Sequence, residues 1–137
     1  MSTRSVIQTY MDKMYSGDFP GAFAMFHPQG KYTIIGDTAC SGTFVGPKGI
    51  NEALVPLLAN GFKAAPVVEC NEIIVEGNRG VALGQGHAPA KYGTYKQKYY
   101  AFVFRIEGDQ VMDLIEFMDP TQLHVNVFGQ KLSPVPA

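Results

Sequence analysis

Lys96-Gln97-Lys98-Tyr99-Tyr100-Ala101-Phe102-Val103-Phe104-Arg105-Ile106, then Glu107-Gly108-Asp109-Gln110, then Val111-Met112-Asp113-Leu114-Ile115-Glu116-Phe117-Met118-Asp119, is the stretch that decides the fold of this chain. Two β-rich runs flank a turn built on Gly108 and Asp109, which predicts a hairpin. Alternate residues of a strand share a face. The first strand therefore places Tyr100, Phe102, Phe104 and Ile106 on one side, and the second places Met112, Leu114, Glu116 and Met118 on one side. Where these faces coincide, an apolar wall carries a single carboxylate, Glu116.

Upstream of the hairpin the pattern changes from strand to helix. Val6, Ile7, Tyr10, Met11 and Met14 recur at helical spacing behind Ser2 or Thr3 as a cap, and Gly17 stops the helix. Asp18 caps a second, short helix with Ala22, Phe23 and Phe26 on its buried side, ended by His27-Pro28-Gln29-Gly30. Lys31 to Ile35 reads as a short strand, and Gly36 to Gly46 as a loop with a brief strand at Thr43 to Val45. Pro47 opens a third helix that runs to about Ala59, bent by Pro56. Val67 to Val75 and Gly80 to Ala88 are strands joined at Gly77-Asn78. One face of the latter carries Val81, Leu83, Gln85 and His87; the other carries only Ala82, Gly84, Gly86 and Ala88, which leaves room against it. Ala88 to Gly93 is a connection, Thr121 to Phe128 a short helical turn, and 129–137 a loosely ordered tail.

Helices first, then a run of antiparallel strands with a third helix between them, make a single α+β domain over 1–137. Val111, Ile115 and Phe117 make the other face of the last strand partly apolar as well, so a second copy of the chain is expected to cover the sheet's outer face.

Composition narrows the function. The 137 residues are 46% hydrophobic, the formal net charge is −1, and no basic run is present, which argues against nucleic acid or an anionic membrane surface as partner. No stretch approaches the apolar length of a membrane span, and Met1-Ser2-Thr3-Arg4 leads into an amphipathic segment and not a signal-peptide core. Cys40 and Cys70 then read as reduced thiols of a cytoplasmic protein. His27, His87 and His124 have no ligand spacing, so neither a metal nor another cofactor is expected.

Taken together, Val6-Ile7-Gln8-Thr9-Tyr10 with Ser16-Gly17-Asp18, Tyr32-Thr33-Ile34-Ile35-Gly36 with Ser41-Gly42-Thr43-Phe44-Val45-Gly46, the Phe104–Val111 hairpin and Ile115-Glu116-Phe117-Met118-Asp119 resemble the SnoaL-like, ketosteroid-isomerase-like members of the nuclear transport factor 2-like fold. The resemblance spans nearly the whole chain. It implies a cone-shaped α+β barrel: a curved, mostly antiparallel sheet wrapped around three helices, with an internal pocket, and often a dimer through the outer sheet face. Such folds host isomerases, cyclases, dehydratases, epoxide hydrolases and non-enzymes. Steroid isomerases use a tyrosine and a protonated aspartic acid as oxyanion hole, plus an aspartate base. Tyr10 stands in the tyrosine's place, but the base falls at about Ile34 and the second acid at about Phe102. The dehydratases' histidine has no counterpart in Phe62-Lys63-Ala64-Ala65-Pro66, and the epoxide hydrolases' arginine–acid pair has none on Gly80 to Ala88.

The candidate catalytic residues are Glu116, whose apolar neighbours raise a carboxyl pKa towards neutrality, and Tyr10 and Tyr32 as hydrogen-bond donors. Glu116 has a competing structural role, pairing with Lys96 or Lys98 or bonding a tyrosine. Tyr10 and Tyr32 have one as core residues whose hydroxyls find one partner. Met14, Ile34, Tyr100, Phe102, Leu114 and Met118 are the candidate ligand-binding residues. His124 is placed to close over the pocket mouth, and Asp119 to cap the final turn. The expected partner is a small hydrophobic molecule, which the protein isomerises, cyclises or hydrates. A carrier that holds such a ligand without chemistry, or a dimerising interaction module, fits the same pattern.

Overall fold

The computed structural model describes residues 1–136. Helix α1 (Thr3–Ser16) starts at Ser2, whose hydroxyl accepts a hydrogen bond from the Ser5 N–H, and ends at Gly17 in the left-handed conformation. Helix α2 (Phe19–Phe23) is capped by Asp18 and is shorter than the sequence pattern predicts. Phe26 opens strand β1 (Phe26–Ile34), where it pairs with Val111. His27-Pro28-Gln29-Gly30 therefore belongs to an irregular stretch of strand and not to a helix end; the pairing register shifts between Phe26 and Lys31, and that shift accommodates Pro28, which has no N–H to offer a ladder. Strand β2 (Gly42–Val45) follows a loop held by Ser41, whose hydroxyl donates to the Ile35 carbonyl and accepts from the Thr38 N–H.

Residues 46–61 form one helical run: α3 (Gly46–Gly49), a π-helical turn (Ile50–Leu54) and α4 (Val55–Gly61). Pro56 cannot donate to the turn before it, and the Val55 N–H reaches back five residues to Ile50, so the run widens where the proline enters. Strands β3 (Val67–Glu76), β4 (Arg79–Ala90), β5 (Gly93–Glu107) and β6 (Gln110–Phe117) then form a meander. Strand pairing runs to Ala90 and resumes at Gly93, so the connection expected over Ala88 to Gly93 is only Lys91-Tyr92. After β6 come α5 (Pro120–Gln122), capped by Asp119, and a second π-helical turn (Leu123–Val127). Residues 129–136 contribute no helix or strand, and Ala137, the last residue of the expected tail, lies outside the described residues.

The six strands form one curved, unclosed sheet in the order β2-β1-β6-β5-β4-β3, antiparallel except where β1 runs parallel to β6. Helix α1 lies against β3 and β4 inside the curve. The bare face of β4 is what lets it approach: a Cβ on Gly80 would strike the Ile7 side chain, and one on Gly86 would meet the Tyr100 ring at 2.8 Å. The room foreseen there is thus filled by the helix and by Tyr100.

The two hairpin faces do coincide, since Phe102 pairs with Glu116 and Phe104 with Leu114. Two β-bulges break the simple alternation. Met112 is an extra residue between the pairs Arg105–Asp113 and Ile106–Val111, so Val111 points into the core and Met112 is displaced from the wall assigned to it. Lys98 and Tyr99 together oppose Gln85, so Tyr95 and Gln97 share the inner face with Tyr100 although they are out of phase with it. Among the described residues no helix is long and apolar enough to cross a membrane.

Candidate functional site

Glu116 enters the interior from the middle of β6, flanked by Phe102 on β5 and Ile34 on β1. Its carboxyl Oε1 accepts a hydrogen bond from the Tyr32 hydroxyl at 2.6 Å. No other group bonds this carboxyl among the described residues. Lys96 and Lys98, the cations considered as structural partners, lie on the exposed side of β5. The other oxygen, Oε2, makes no hydrogen bond, yet it is not among the fully enclosed unpartnered atoms. One oxygen is therefore anchored and the other is open to a third molecule.

That opening is a chamber of about 50 Å³, bordered by Met14 from α1, Tyr32 and Ile34 from β1, Cys40, and Tyr95 and Tyr100 from β5. It has room for a few water molecules and falls well short of the roughly 300–1,000 Å³ of an ordinary small-molecule site. Glu116 is half-buried and borders this space. Burial pushes its pKa from the ordinary 4.5 to about 7, against the opposing pull of the Tyr32 hydrogen bond, which favours the charged form. A carboxyl poised there exchanges protons readily near neutral pH.

The phenols around it are held as acids that keep their protons. Burial raises the Tyr32 pKa well above the usual 10.0, and the Glu116 charge adds to the effect. The Tyr95 and Tyr100 hydroxyls bond each other at 2.6 Å, and burial raises both. Tyr32 is fixed by stacking on Phe26 at 5.8 Å, Tyr100 by stacking on Phe102 at 4.9 Å. Cys40 is buried and its thiol is pushed up to about 11, so it is a neutral wall and not a nucleophile.

The structure thus brings together five of the nine candidate residues: Glu116, Tyr32, Met14, Ile34 and Tyr100. Tyr10, Phe102 and Leu114 are fully buried beside the chamber and do not border it. Tyr10 packs edge-on against Phe26 and Phe104, close enough for the Glu116 charge to help raise its pKa, and its hydroxyl has no hydrogen-bond partner among the described residues. Met118 is buried in the core and borders not the chamber but a concavity of about 820 Å³, which Tyr99 and Phe117 also border. That concavity is open, borders Lys96, Lys98 and Asp119, and contains none of the candidate catalytic residues. His124 does reach across towards the Gly36–Ser41 loop: its Nε2 lies 3.0 Å from Asp37 Oδ1, while its neighbour Leu123 borders the chamber.

Tyr95 and Gln97 escaped sequence reasoning. Gln97 is buried and makes a reciprocal pair of bonds with the Asp119 backbone, from its Nε2 to the carbonyl at 2.9 Å and to its Oε1 from the N–H at 3.0 Å, which ties the end of β6 to β5. Tyr95 and Gln97 do alternate with each other, and a bulge placed at Lys98-Tyr99 would have revealed both. Cys40, which the sequence places in the loop near the pocket rim, borders the chamber. Among the described residues no group of three or more His, Cys, Asp or Glu side chains could hold a metal ion.

No protein-family model and no curated protein matches this sequence. Solved structures do match its shape. An NTF2-like protein of unknown function from Burkholderia pseudomallei superimposes with a TM-score of 0.81 at 19% identity, over 93% of this chain and 98% of that one. TerC, co-crystallised with polyporic acid, gives 0.74 at 18% identity, over 92% and 98%. A putative SnoaL-like polyketide cyclase from Jannaschia sp. CCS1 gives 0.72 at 13% identity, over 94% and 93%. The chain has the NTF2-like, cone-shaped α+β fold.

Proposed function

We propose that this protein performs acid–base chemistry on a small, largely hydrophobic molecule at Glu116: an isomerisation, cyclisation or hydration. The observation that carries the reading is the state of that one carboxyl, desolvated, without a cation, at a pKa of about 7, with one oxygen anchored by Tyr32 and the other unbonded. As carboxylate, Oε2 takes a proton from the bound molecule or from an attacking water. As carboxylic acid, it returns that proton to another position. The Tyr95–Tyr100 hydroxyl pair supplies a donor for an oxygen on which negative charge develops. The tyrosines stay neutral throughout, because burial opposes their ionisation.

Thermal-shift screening with neutral carbonyl compounds should find stabilising ligands, and the best of these should be turned over. Glu116→Gln should then abolish turnover, by at least a hundredfold, while sparing binding. Equal turnover by the variant would sink the proposal. The second reading, a carrier without chemistry, draws on Phe102, which faces Glu116 where a second acid would assist catalysis; ligand binding without turnover by the native protein would favour it.

A second copy of the chain is the occupant we propose for the outer sheet face. Ile74, Val81, Val103 and Ile115 form a continuous apolar row across β3, β4, β5 and β6, beside Phe117 at 42% and Tyr99 at 83% exposure. Light scattering should give twice the 14.9 kDa chain mass, and Val103→Asp should halve it; a native monomer would refute this assembly.

A further inference from the structure

The chamber is too small for the molecule its chemistry requires, and its outer wall shows where the rest of that molecule goes. Phe19 and Phe23 of α2, Leu58 of α4, and Phe62 and Pro66 of the following connection border the chamber. The same five side chains also border a groove on the molecular surface, of about 330 Å³. Val55, Ala59, Ala64 and Ala65 complete that groove, so no charged or hydrogen-bonding side chain borders it. One layer of side chains therefore separates an apolar groove from the acid. The layer touches the chamber's polar groups directly: Phe23 meets the Tyr32 ring at 6.1 Å, and Phe62 stands edge-on to Tyr95 at 5.0 Å.

The layer is also partly open to the surface. Phe19, Leu58, Phe62 and Pro66 are only partly buried. Phe62 is tied by a β-bridge to Ala90 and by its N–H to the Leu58 carbonyl, and Lys63 donates its N–H to the Pro89 carbonyl; Ala64 and Ala65, which follow the layer in the chain, lie in neither helix nor strand and make none of the backbone hydrogen bonds between segments. Opening therefore rests on the partly buried side chains of Phe19, Leu58 and Phe62 and on the sparsely bonded stretch at Ala64 and Ala65, with the helices kept.

Resting on the acid–base reading above, we propose that chamber and groove are two ends of one ligand site, gated by Phe19, Phe23, Leu58 and Phe62. The ligand is a neutral, elongated molecule with one carbonyl at its head. The head enters the chamber and meets the Tyr95 and Tyr100 hydroxyls beside Glu116. The apolar body lies in the groove between α2 and α4. Chamber and groove together fall within the roughly 300–1,000 Å³ usual for small-molecule sites, the groove supplying most of the volume and the chamber the polar groups.

Fluorescence titration with 6-propionyl-2-(dimethylamino)naphthalene, a neutral aromatic ketone, tests this. Ala59→Trp and Ala65→Trp fill the groove at exposed positions that do not border the chamber, so both variants should fold with unchanged thermal midpoints. The double variant Tyr95→Phe/Tyr100→Phe removes both chamber donors and keeps their shape, a change that is nearly neutral for folding. Each of the three should weaken probe binding by about tenfold, the worth of one lost hydrogen bond or of the blocked apolar contact. If the tryptophan variants bind like the native protein while the double variant is weakened, the groove is no part of the site and the inference falls, with the acid–base reading intact. If only the tryptophan variants are weakened, the probe stays in the groove and the single-site proposal is overturned. If the native protein does not bind the ketone, both the inference and the reading beneath it fail.

Discussion

Asp113 and Glu116 stand three residues apart on one strand and live in different solvents. Asp113 faces outward, where its Oδ2 accepts from Arg105 Nε at 2.8 Å and lies 2.6 Å from Arg105 Nη2, with water at hand. Glu116 faces inward, with no cation and a single tyrosine. The pleat of β6 is the whole cause, since an odd separation along a strand puts two side chains on opposite faces. The outer acid is an ordinary screened ion pair. The inner one is a desolvated acid whose proton is held to about pH 7. A strand thus converts two chemically similar residues into a surface charge and a candidate proton carrier.

The largest expected difference between the two faces is in packing. Phe104 is fully buried on the inner face, and Phe104→Ala should cost about 3–5 kcal/mol in denaturant unfolding. A cost near that of an outer-face substitution would mean that the inner layer is not a packed core.

The next effect is a pH dependence assignable to one group. Folded Glu116 keeps its proton to about pH 7, whereas the unfolded chain releases it near 4.5. Between those values the folded state binds more protons, so stability falls as pH rises and levels off above the window. The total change should be about 3 kcal/mol, and it should vanish from the stability–pH curve of Glu116→Gln. A native curve parallel to that of the variant would place Glu116 at an unperturbed pKa.

Smaller still is the effect of its hydrogen bond. Tyr32→Phe removes the one donor that favours the charged form, so carboxyl NMR titration should find the Glu116 midpoint raised further above that of the native protein. A lowered midpoint would assign the shift to some cause other than burial. Asp113→Asn, the outer counterpart, should leave the denaturation midpoint unmoved within error, because an exposed pair is screened by water and salt.

Much of this was legible in the residues. The stripe Val6, Ile7, Tyr10, Met11, Met14 is buried as its spacing predicts, and the alternation from Tyr100 to Ile106 faces the core. Glu116 could be singled out because a carboxylate among apolar neighbours breaks a period of two. Other features were not legible. Phe26 continues a helical period and yet opens a strand, since pairing with Val111 outweighs local preference. Met112 changed faces, and Tyr95 reaches the inner face out of phase with Tyr100, since each bulge inserts one residue and reverses the count beyond it. Met118 is buried in the core as its place on the inner wall predicts, but past the end of β6 it borders the concavity and not the chamber.

The sequence by itself determined the order of helices and strands, the apolar face of each, and the presence of one acid among hydrophobic neighbours. These follow from chain-local periods of 3.6 and 2. Only the tertiary structure decided what surrounds that acid. Tyr32 lies 84 residues away in the chain and reaches Glu116 because β1 pairs beside β6. Phe23 and Phe62 come to stand between the acid and the surface because the α2 and α4 segments close over the sheet. Burial, and with it the pKa of Glu116, is a property of everything within reach in space, which no stretch of sequence carries alone.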